Sequence, residues 1–448
     1  RLDSNHLYKL WRTYSRQQLL AGHLPLWLDG LYAGMPFVGN CQSAVFYPFH
    51  FLGLVCRPAV AIGLGYLLHL WLSAAGGYLL GRRLGHRRDS ALLLGLIYGL
   101  SGYVVSKQQF PSLAYTIAWL PWLFYGGARL WAEPGPRAAL VLAGITALQW
   151  LTGHAQMSFL QLSLLAGWLL FLPGEGSATR RWGLAWGAVL AGTAVGMIQI
   201  LPTLDLLAHS SRTTFSLRDV ARFYLPAWQF LMALAPRLYG APEAWMPYLG
   251  YGPYWEGTWY VGLATLPLAA AALTRSAAVQ RVRRERWFWV AVALIGIVLA
   301  LGPLTPVYGW LFRVLPPVRM FRDPARFTLY TVVALSLLAA AGLDADARVA
   351  RRWALALTLL LAGGLLLVSL ASDKTVQSWL LGIIARQPTK VLGEVPRAAA
   401  AWHGWMIVEL LKSLAWSVAA LIALGWPTRR RRPALVMLIA ADLVLHAS

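Results

Sequence analysis

The chain has 448 residues, of which 58% are hydrophobic and only 12% are charged, and this balance excludes a soluble globular protein. A formal net charge of +22 would suit nucleic-acid binding, but the arginines stand in short clusters between apolar runs, which is typical of membrane topology. We therefore expect a polytopic membrane protein that binds no nucleic acid. The chain starts on Arg1 and stops inside an apolar run at Ser448, so we expect a fragment of a longer protein.

The first 57 residues form the longest stretch in the first half of the chain that cannot span a membrane. Four apolar residues recur there at helical spacing: Leu7, Leu10, Trp11 and Tyr14. Four polar residues cover the other side of the same helix: Lys9, Arg12, Arg16 and Gln17. This pattern predicts a helix lying flat in the membrane interface. The aromatic, glycine and proline residues that follow predict a compact, turn-rich loop. The chain has two cysteines, Cys41 and Cys56, and the sequence is compatible either with a disulfide between them or with two free thiols.

Apolar runs long enough to cross a bilayer predict about twelve transmembrane helices. They lie at 58–80, 91–106, 113–131, 138–152, 156–172, 183–202, 257–274, 287–302, 325–343, 353–371, 404–426 and 434–447.

Arginine-rich connections, such as 81–90 and 427–433, alternate with long segments and are expected in the cytoplasm. The chain is therefore expected to have four parts. They are a first outer loop at 1–57, six spans at 58–202, a long outer loop at 203–256, and six further spans at 257–448 with outer loops at 303–324 and 372–403.

Asp3 precedes the predicted interfacial helix and has two compatible interpretations. Asp is a common helix N-cap, because its side chain accepts hydrogen bonds from the first backbone N–H groups. A carboxylate held at the membrane surface is also suited to act as a general base. If the protein has an enzymatic activity, we expect its chemistry to face this segment.

Other polar residues stand where predicted spans meet the outer face. His154 and Gln156 lie on a tight connection, TGHAQMSF, where hydrogen-bonded packing and substrate binding are both open. Arg212 ends the motif IQILPTLDLLAHSSR, and Arg322 and Arg326 belong to VRMFRDPARF. Such arginines either extend along the lipid toward water or bind the phosphate of a lipid, for which a planar guanidinium is suited.

Five motifs in this order resemble the YfhO family of bacterial membrane proteins, within the GT-C glycosyltransferase superfamily: LPLWLDGLYAGMPFVGNCQSAVFYP, TGHAQ, QILPTLDLLAHSSR, EGTWYVGLATLPL and FRDPARF. Two positions depart from the family, which commonly has Trp-Asn-Pro where Trp27-Leu28-Asp29 stands here and a proline in place of Ala155. The resemblance implies an all-α, GT-C-like bundle of about twelve transmembrane helices with large outer loops.

The resemblance further implies an enzyme of the bacterial cytoplasmic membrane that takes a sugar from a polyprenyl-phosphate carrier at the outer face. The acceptor is expected to be a glycan, lipid or protein of the cell envelope. Asp3 occupies the place of the base in such enzymes, and we expect substrate contacts from seven residues: Trp27, Gln42, His154, Gln156, Arg212, Arg322 and Arg326. No cofactor is predicted. A divalent metal stays open, because the acidic residues of the outer face are too scattered to define a site or a requirement for one.

Two other classes stay open, a lipid or solute transporter and a non-catalytic partner in envelope assembly. A transporter would place ionisable groups inside the membrane, where Glu409, Lys412 and Asp442 are the candidates. We expect Glu409 and Lys412 to form a structural pair, and His69 to be a satisfied packing residue.

Overall fold

The computed structural model describes residues 7–31, 33–172, 177–210, 215–242, 247–274, 280–385 and 399–447. Within these ranges the chain forms one small antiparallel sheet, β1 (Trp27–Leu28) with β2 (Met35–Pro36), in which Trp27 faces Pro36. The same ranges form twenty α-helices: α1 (Lys9–Leu20), α2 (Leu52–Val55), α3 (Pro58–Arg83), α4 (Arg88–Leu100), α5 (Gly102–Ser106), α6 (Pro111–Ala118), α7 (Leu120–Ala132), α8 (Pro136–Leu151), α9 (Ala155–Phe171), α10 (Ala178–Ala208), α11 (Leu217–Val220), α12 (Tyr254–Gly257), α13 (Thr265–Ala272), α14 (Gln280–Ala300), α15 (Pro306–Val314), α16 (Thr328–Leu343), α17 (Ala347–Leu370), α18 (Asp373–Ala385), α19 (Ala399–Gly425) and α20 (Thr428–Ala447).

Six helical runs of the described chain are long and apolar enough to cross a bilayer: Pro58–Arg83, Arg88–Gln109, Ala178–Ala208, Pro324–Leu343, Ala347–Leu370 and Ala401–Gly425. The predicted all-α, multi-pass membrane fold is therefore confirmed, whereas the count of about twelve spans stays a prediction. Three of the predicted spans are less regular than expected. The run at 91–106 is divided into α4 and α5, and the run at 113–131 into α6 and α7. Beyond Gly257, the run at 257–274 becomes α-helical only at Thr265.

Helix α10 continues six residues beyond the predicted end of its span at 202. Pro202 lies inside the helix rather than after it. A proline removes one backbone donor, but neighbouring side chains can bind the carbonyls near it. Thr203 donates from its hydroxyl to the Gln199 carbonyl over 2.8 Å, and the Gln199 amide donates to the Val38 carbonyl over 2.7 Å. The first bond lies within the helix across the proline, and the second joins the helix to the segment at Val38.

The chain divides into two compact units that do not follow the predicted order of loops and spans. Unit 1 comprises residues 1–85 and 107–215, and unit 2 comprises residues 86–106 and 216–448. Helices α4 and α5, predicted within the first group of spans, thus pack with the second half of the chain. The four-part division into outer loops and groups of spans stays a prediction about membrane sides.

In unit 1, α1 turns an unexpected face to the protein. Tyr8, Trp11, Arg12 and Ser15 are buried, whereas Leu10 is 57% exposed. The prediction that Arg12 lies on the opposite side of the helix from Trp11 is therefore wrong, since the protein buries both. In a membrane protein the leucines can face lipid, so the inner face of an interfacial helix is free to carry polar groups.

In unit 2, α16 is the central helix. All of its residues except Leu335 are buried. A Cβ on Gly342 would lie 1.7 Å from the Leu268 carbonyl oxygen, so α13 and α16 approach as closely as only a glycine permits. The Thr331 hydroxyl donates to the Ala293 carbonyl of α14 over 2.9 Å. The N-terminal end of this rigid helix positions the second cluster described below.

Candidate functional site

Arg12 is the centre of a group of polar side chains inside unit 1. The residue is only 6% exposed. Its Nη1 donates to the carbonyl oxygen of Ser43, while Nε and Nη2 have no hydrogen-bond partner within the described residues. Burial lowers the pKa of Arg12 to about 10, against the opposing influence of the tyrosine hydroxyls around it. The guanidinium remains charged at neutral pH, and no described carboxylate pairs with it.

Tyr8, one turn before Arg12 on α1, connects the helix to two other parts of unit 1. Its hydroxyl donates to Gln42 Oε1 over 3.1 Å and lies 2.9 Å from Ser112 Oγ. Because the Tyr8 proton goes to Gln42, Ser112 is the donor in the second bond. Burial raises the pKa of Tyr8, so this hydroxyl stays neutral.

His50 lies close enough to Arg12 to be influenced by its charge. The His50 Nδ1 lies 2.8 Å from the Ala44 carbonyl, which can only accept, so Nδ1 carries the proton and Nε2 is an acceptor. Burial, with the Arg12 charge as the next cause, lowers the pKa of His50 well below its ordinary value. Nε2 is buried and has no described partner. We call Tyr8, Arg12, Gln42, Ser43, His50 and Ser112 the Arg12 cluster.

The TGHAQ connection packs on Cys41 and Ala44, the residues on either side of Gln42 and Ser43 of this cluster. Gly153 has a φ of +82°, and a Cβ there would lie 1.9 Å from the Cys41 carbonyl oxygen, so the left-handed turn and the contact both require glycine. His154 begins α9 as its N-cap, with Nδ1 accepting from the Met157 amide over 3.3 Å. Both His154 and Gln156 are 8% exposed. Both residues belong to unit 1, as does Gln42, which the sequence analysis also predicted to contact substrate.

A second arginine cluster is formed at the N-terminal end of α16. Arg326 Nη2 lies 2.8 Å from Glu256 Oε1 and 2.7 Å from Asp323 Oδ2. Its Nε also approaches Glu256 Oε1, over 3.2 Å. The Tyr103 hydroxyl donates to the Arg326 carbonyl over 3.1 Å. We call Tyr103, Glu256, Asp323 and Arg326 the Arg326 cluster, in which two carboxylates share one guanidinium.

Asp323 adopts an uncommon backbone conformation in this cluster. Its φ is +68°, in the left-handed region that side chains other than glycine rarely occupy. The Asp323 amide donates to the Val220 carbonyl and the Ala325 amide to the Phe223 carbonyl, each over 3.0 Å. Burial raises the pKa of Asp323 to about 6, with Arg326 opposing the shift and Glu256 adding to it. Arg322 also acts on Asp323, as a nearby positive charge that lowers its pKa.

The remaining predicted site residues are placed as follows. Asp3 and Arg212 lie outside the described residues. Trp27 is 50% exposed, and its carbonyl accepts from the Tyr14 hydroxyl. Two carboxylates that were not among the predicted site residues are exposed. They are Asp29 and Asp205, and the 80% exposed side chain of Asp205 pairs, among the described residues, only with the exposed His209 that caps the same helix.

Three predictions about packing residues are decided by the structure. Lys412 Nζ lies 2.7 Å from Glu409 Oε1, which confirms the predicted pair. His69 is confirmed as a satisfied residue, since Nδ1 bonds the Gly65 carbonyl and Nε2 the Tyr47 hydroxyl, each over 2.6 Å. Cys41 and Cys56, both described, are not bonded to each other.

Sequence reasoning missed several polar residues that the structure buries. Glu256 opens the motif EGTWY, but its partner Arg326 stands 70 residues later. Lys107 is fully buried, although the SKQQ sequence at 106–109 resembles an ordinary solvated loop. Its position between two apolar runs was the available signal. Among the described residues, no three His, Cys, Asp or Glu side chains are grouped as a bound metal ion would require.

Comparison with solved structures identifies the fold of this chain. No protein-family model matches the sequence, and no curated protein matches it significantly. A solved structure of ArnT from Cupriavidus metallidurans, bound to undecaprenyl phosphate, superposes with a TM-score of 0.52 at 14% identity, over 98% of this chain and 71% of ArnT. The chain has a GT-C-like fold.

Two further structures are similar at lower TM-scores. ArnT from the same organism in the apo state gives 0.49 at 14% identity, over 98% of this chain and 71% of that one. The arabinofuranosyltransferase AftD from mycobacteria gives 0.47 at 16% identity, over 91% of this chain. The chain spans only 25% of the length of AftD. The resemblance to the YfhO family stays a prediction.

Proposed function

We propose that this protein is a membrane glycosyltransferase that transfers a sugar from a polyprenyl-phosphate-linked donor to a cell-envelope acceptor. The observation that carries the proposal is the GT-C-like fold shared with ArnT over nearly the whole chain, because that relative was solved with undecaprenyl phosphate bound. The YfhO-like motifs support the same proposal from the sequence. The proposed location is the bacterial cytoplasmic membrane, with the long segments 1–57, 203–256, 303–324 and 372–403 at its outer face.

In the proposed reaction, Asp3 is the general base. Its carboxylate accepts the proton of the acceptor hydroxyl as that oxygen attacks the anomeric carbon of the donor sugar. The bond between the anomeric carbon and the phosphate oxygen breaks, and the polyprenyl phosphate leaves with the electron pair. Positive charge near the phosphate stabilises the leaving group.

Arg212, Arg322 and Arg326 are proposed to bind the donor phosphate, and Trp27, Gln42, His154 and Gln156 to contact the substrates. Arg326 already contacts two carboxylates, so a phosphate could bind it only by replacing one of them. Asp323 is the partner better suited to exchange, because its pKa of about 6 lets it take up a proton close to neutral pH. Glu256 would then keep Arg326 in place.

The proposal is tested by incubating the purified protein with a panel of polyprenyl-phosphate sugars and measuring the polyprenyl phosphate released. We expect release with at least one donor, and loss of release in Asp3→Asn. The matched control is Asp29→Asn, an exposed carboxylate of the same segment, which should retain wild-type release. Absence of release with every donor and added envelope acceptor would contradict the proposal.

A further inference from the structure

We propose that the Arg12 cluster is a binding site for the phosphate group of a polyprenyl-phosphate lipid. The site uses none of the three arginines assigned above. The identity of the lipid rests on the proposed function, whereas the need for an anion rests on the cluster itself. Three features of unit 1 support it: the charge, the set of hydrogen-bonding groups and the outer face of α1.

The first feature is a buried charge without a described counter-charge. Arg12 is only 6% exposed. The neighbouring groups that influence its pKa are Tyr8, Tyr66 and Tyr115, and no carboxylate is among them. A buried cation without an anion is costly. Two guanidinium nitrogens also have no described partner. An anion that meets Nε and Nη2 together would remove both costs, because that edge of the guanidinium fits two oxygens of one phosphate.

The second feature is the kind of hydrogen-bonding atoms that accompany Arg12. Four further buried polar atoms have no described partner and belong to residues close to Arg12 in the chain or bonded to it. All four can donate: Trp11 Nε1, Ser15 Oγ, Arg16 Nε and Ser43 Oγ. Among the described residues of the cluster, His50 Nε2 is the one buried acceptor that has no hydrogen-bond partner. A phosphate monoester matches this set, because it offers several acceptor oxygens and, near its second pKa of about 6, one O–H donor.

The third feature indicates that the phosphate is carried by a lipid. Leu10, on the side of α1 opposite to Arg12, is 57% exposed, as is Leu20 at the end of the helix, and Leu7 just before the helix is 39% exposed. A helix with such a face lies against lipid tails. A phosphate that enters the cluster from the membrane surface can therefore leave its hydrocarbon chain beside these leucines. Free phosphate would gain nothing from that face.

The test measures ligand-dependent thermal stability of the full-length protein in nanodiscs of phosphatidylcholine, whose zwitterionic headgroup has no net charge. The probes are undecaprenyl phosphate, undecaprenol, which has the same chain without the phosphate, and inorganic phosphate. Binding to the folded state raises the midpoint of unfolding. Arg12→Gln is compared with Lys9→Gln, which removes the same charge from an exposed position of the same helix.

We expect undecaprenyl phosphate to stabilise the wild-type and Lys9→Gln proteins, and Arg12→Gln to require an about tenfold or higher concentration for the same shift. Undecaprenol should give no Arg12-dependent shift. If Arg12→Gln does not fold, Arg12→Lys replaces it, and we expect the same direction because an ammonium cannot form the paired bonds.

Equal responses of Arg12→Gln and wild type to undecaprenyl phosphate would overturn the site and leave the proposed function intact. An Arg12-dependent shift with inorganic phosphate as large as with the lipid would overturn the lipid as ligand. Failure of every probe to bind the wild-type protein would also overturn the site. Conversely, Arg12-dependent lipid binding without sugar release from any donor would support the site and contradict the proposed glycosyl transfer.

Discussion

Two buried arginines of this protein differ in what surrounds them. Arg326 in unit 2 has two carboxylate partners within 2.8 Å, and its cluster needs no further ion to balance the guanidinium. Arg12 in unit 1 has a backbone carbonyl, neutral hydroxyls and a neutral histidine around it, with no described carboxylate. Burial alone therefore does not show how readily an arginine binds an anion. Arg326 has to exchange a carboxylate partner before it can bind a phosphate, whereas Arg12 has no described carboxylate to displace.

The largest effect is expected from removing a carboxylate of the Arg326 cluster. Glu256→Ala leaves a buried guanidinium with one partner fewer, and breaking a buried ion pair costs about 3–5 kcal/mol. We expect about 3 kcal/mol, the lower end, because Asp323 remains. The free energy of unfolding in denaturant gives the value. Glu133→Ala is the control, since this glutamate pairs with Arg83 at an exposed position (62% side-chain exposure), and a change there as large as at Glu256 would refute the distinction.

The next effect concerns Asp3 and tests whether chemistry is associated with the opening segment. If Asp3 is the general base, Asp3→Asn should lower turnover by about a hundredfold, because the amide cannot accept the proton. If Asp3 is only an N-cap, Asp3→Asn should be almost silent, and Asp3→Ala should cost about 1 kcal/mol of stability. Transfer rates of folded Asp3→Asn and Asp3→Ala decide between the two. Wild-type turnover of Asp3→Asn would exclude it as the base.

The smallest effect is a pH dependence that arises from His50. Its pKa is lowered in the folded protein, so the unfolded chain binds a proton below its ordinary pKa of about 6.5 while the folded protein does not. Stability should therefore fall as the pH drops below about 6.5, by up to about 1.4 kcal/mol per pH unit. His50→Asn, which keeps a donor for the Ala44 carbonyl, should reduce this slope by about one proton.

The control for this prediction is His209, whose side chain is 77% exposed. His209→Asn should leave the pH dependence of unfolding unchanged. An unchanged slope in His50→Asn would show that His50 can be protonated beside Arg12. In that case the cluster would already tolerate a second positive charge, and the argument that it lacks an anion would fail.

The sequence was sufficient for the long membrane helices and insufficient for the faces they present. Helices such as α3 and α17 follow from length and hydropathy, since few other structures can bury so many apolar residues. For α1 the sequence pattern placed Trp11 and Arg12 on opposite sides, whereas the protein buries both and leaves Leu10 exposed. Hydropathy cannot distinguish a protein core from a lipid phase, so it does not show which side of an interfacial helix contacts the protein.

The ion pairs show a second boundary of sequence reasoning. Glu409 and Lys412 were predictable because they are one helical turn apart. Glu256 and Arg326 were not, because 70 residues separate them and only the fold brings them together. The sequence predicted that Arg326 binds a phosphate or extends along the lipid, and it contained no information on the two carboxylate partners of this arginine. The same holds for His50, whose tautomer depends on the carbonyl of Ala44.

The comparison between the two arginines is tested most directly by one pair of measurements, the unfolding midpoints of Arg12→Met and Arg326→Met in nanodiscs without anionic lipid. Methionine keeps much of the side-chain volume and removes the charge. We predict that Arg12→Met raises the midpoint, because an uncompensated buried charge is removed, and that Arg326→Met lowers it, because two carboxylates lose their partner. A lower midpoint for Arg12→Met, equal to that of Arg326→Met, would contradict the account and make Arg12 a structural residue.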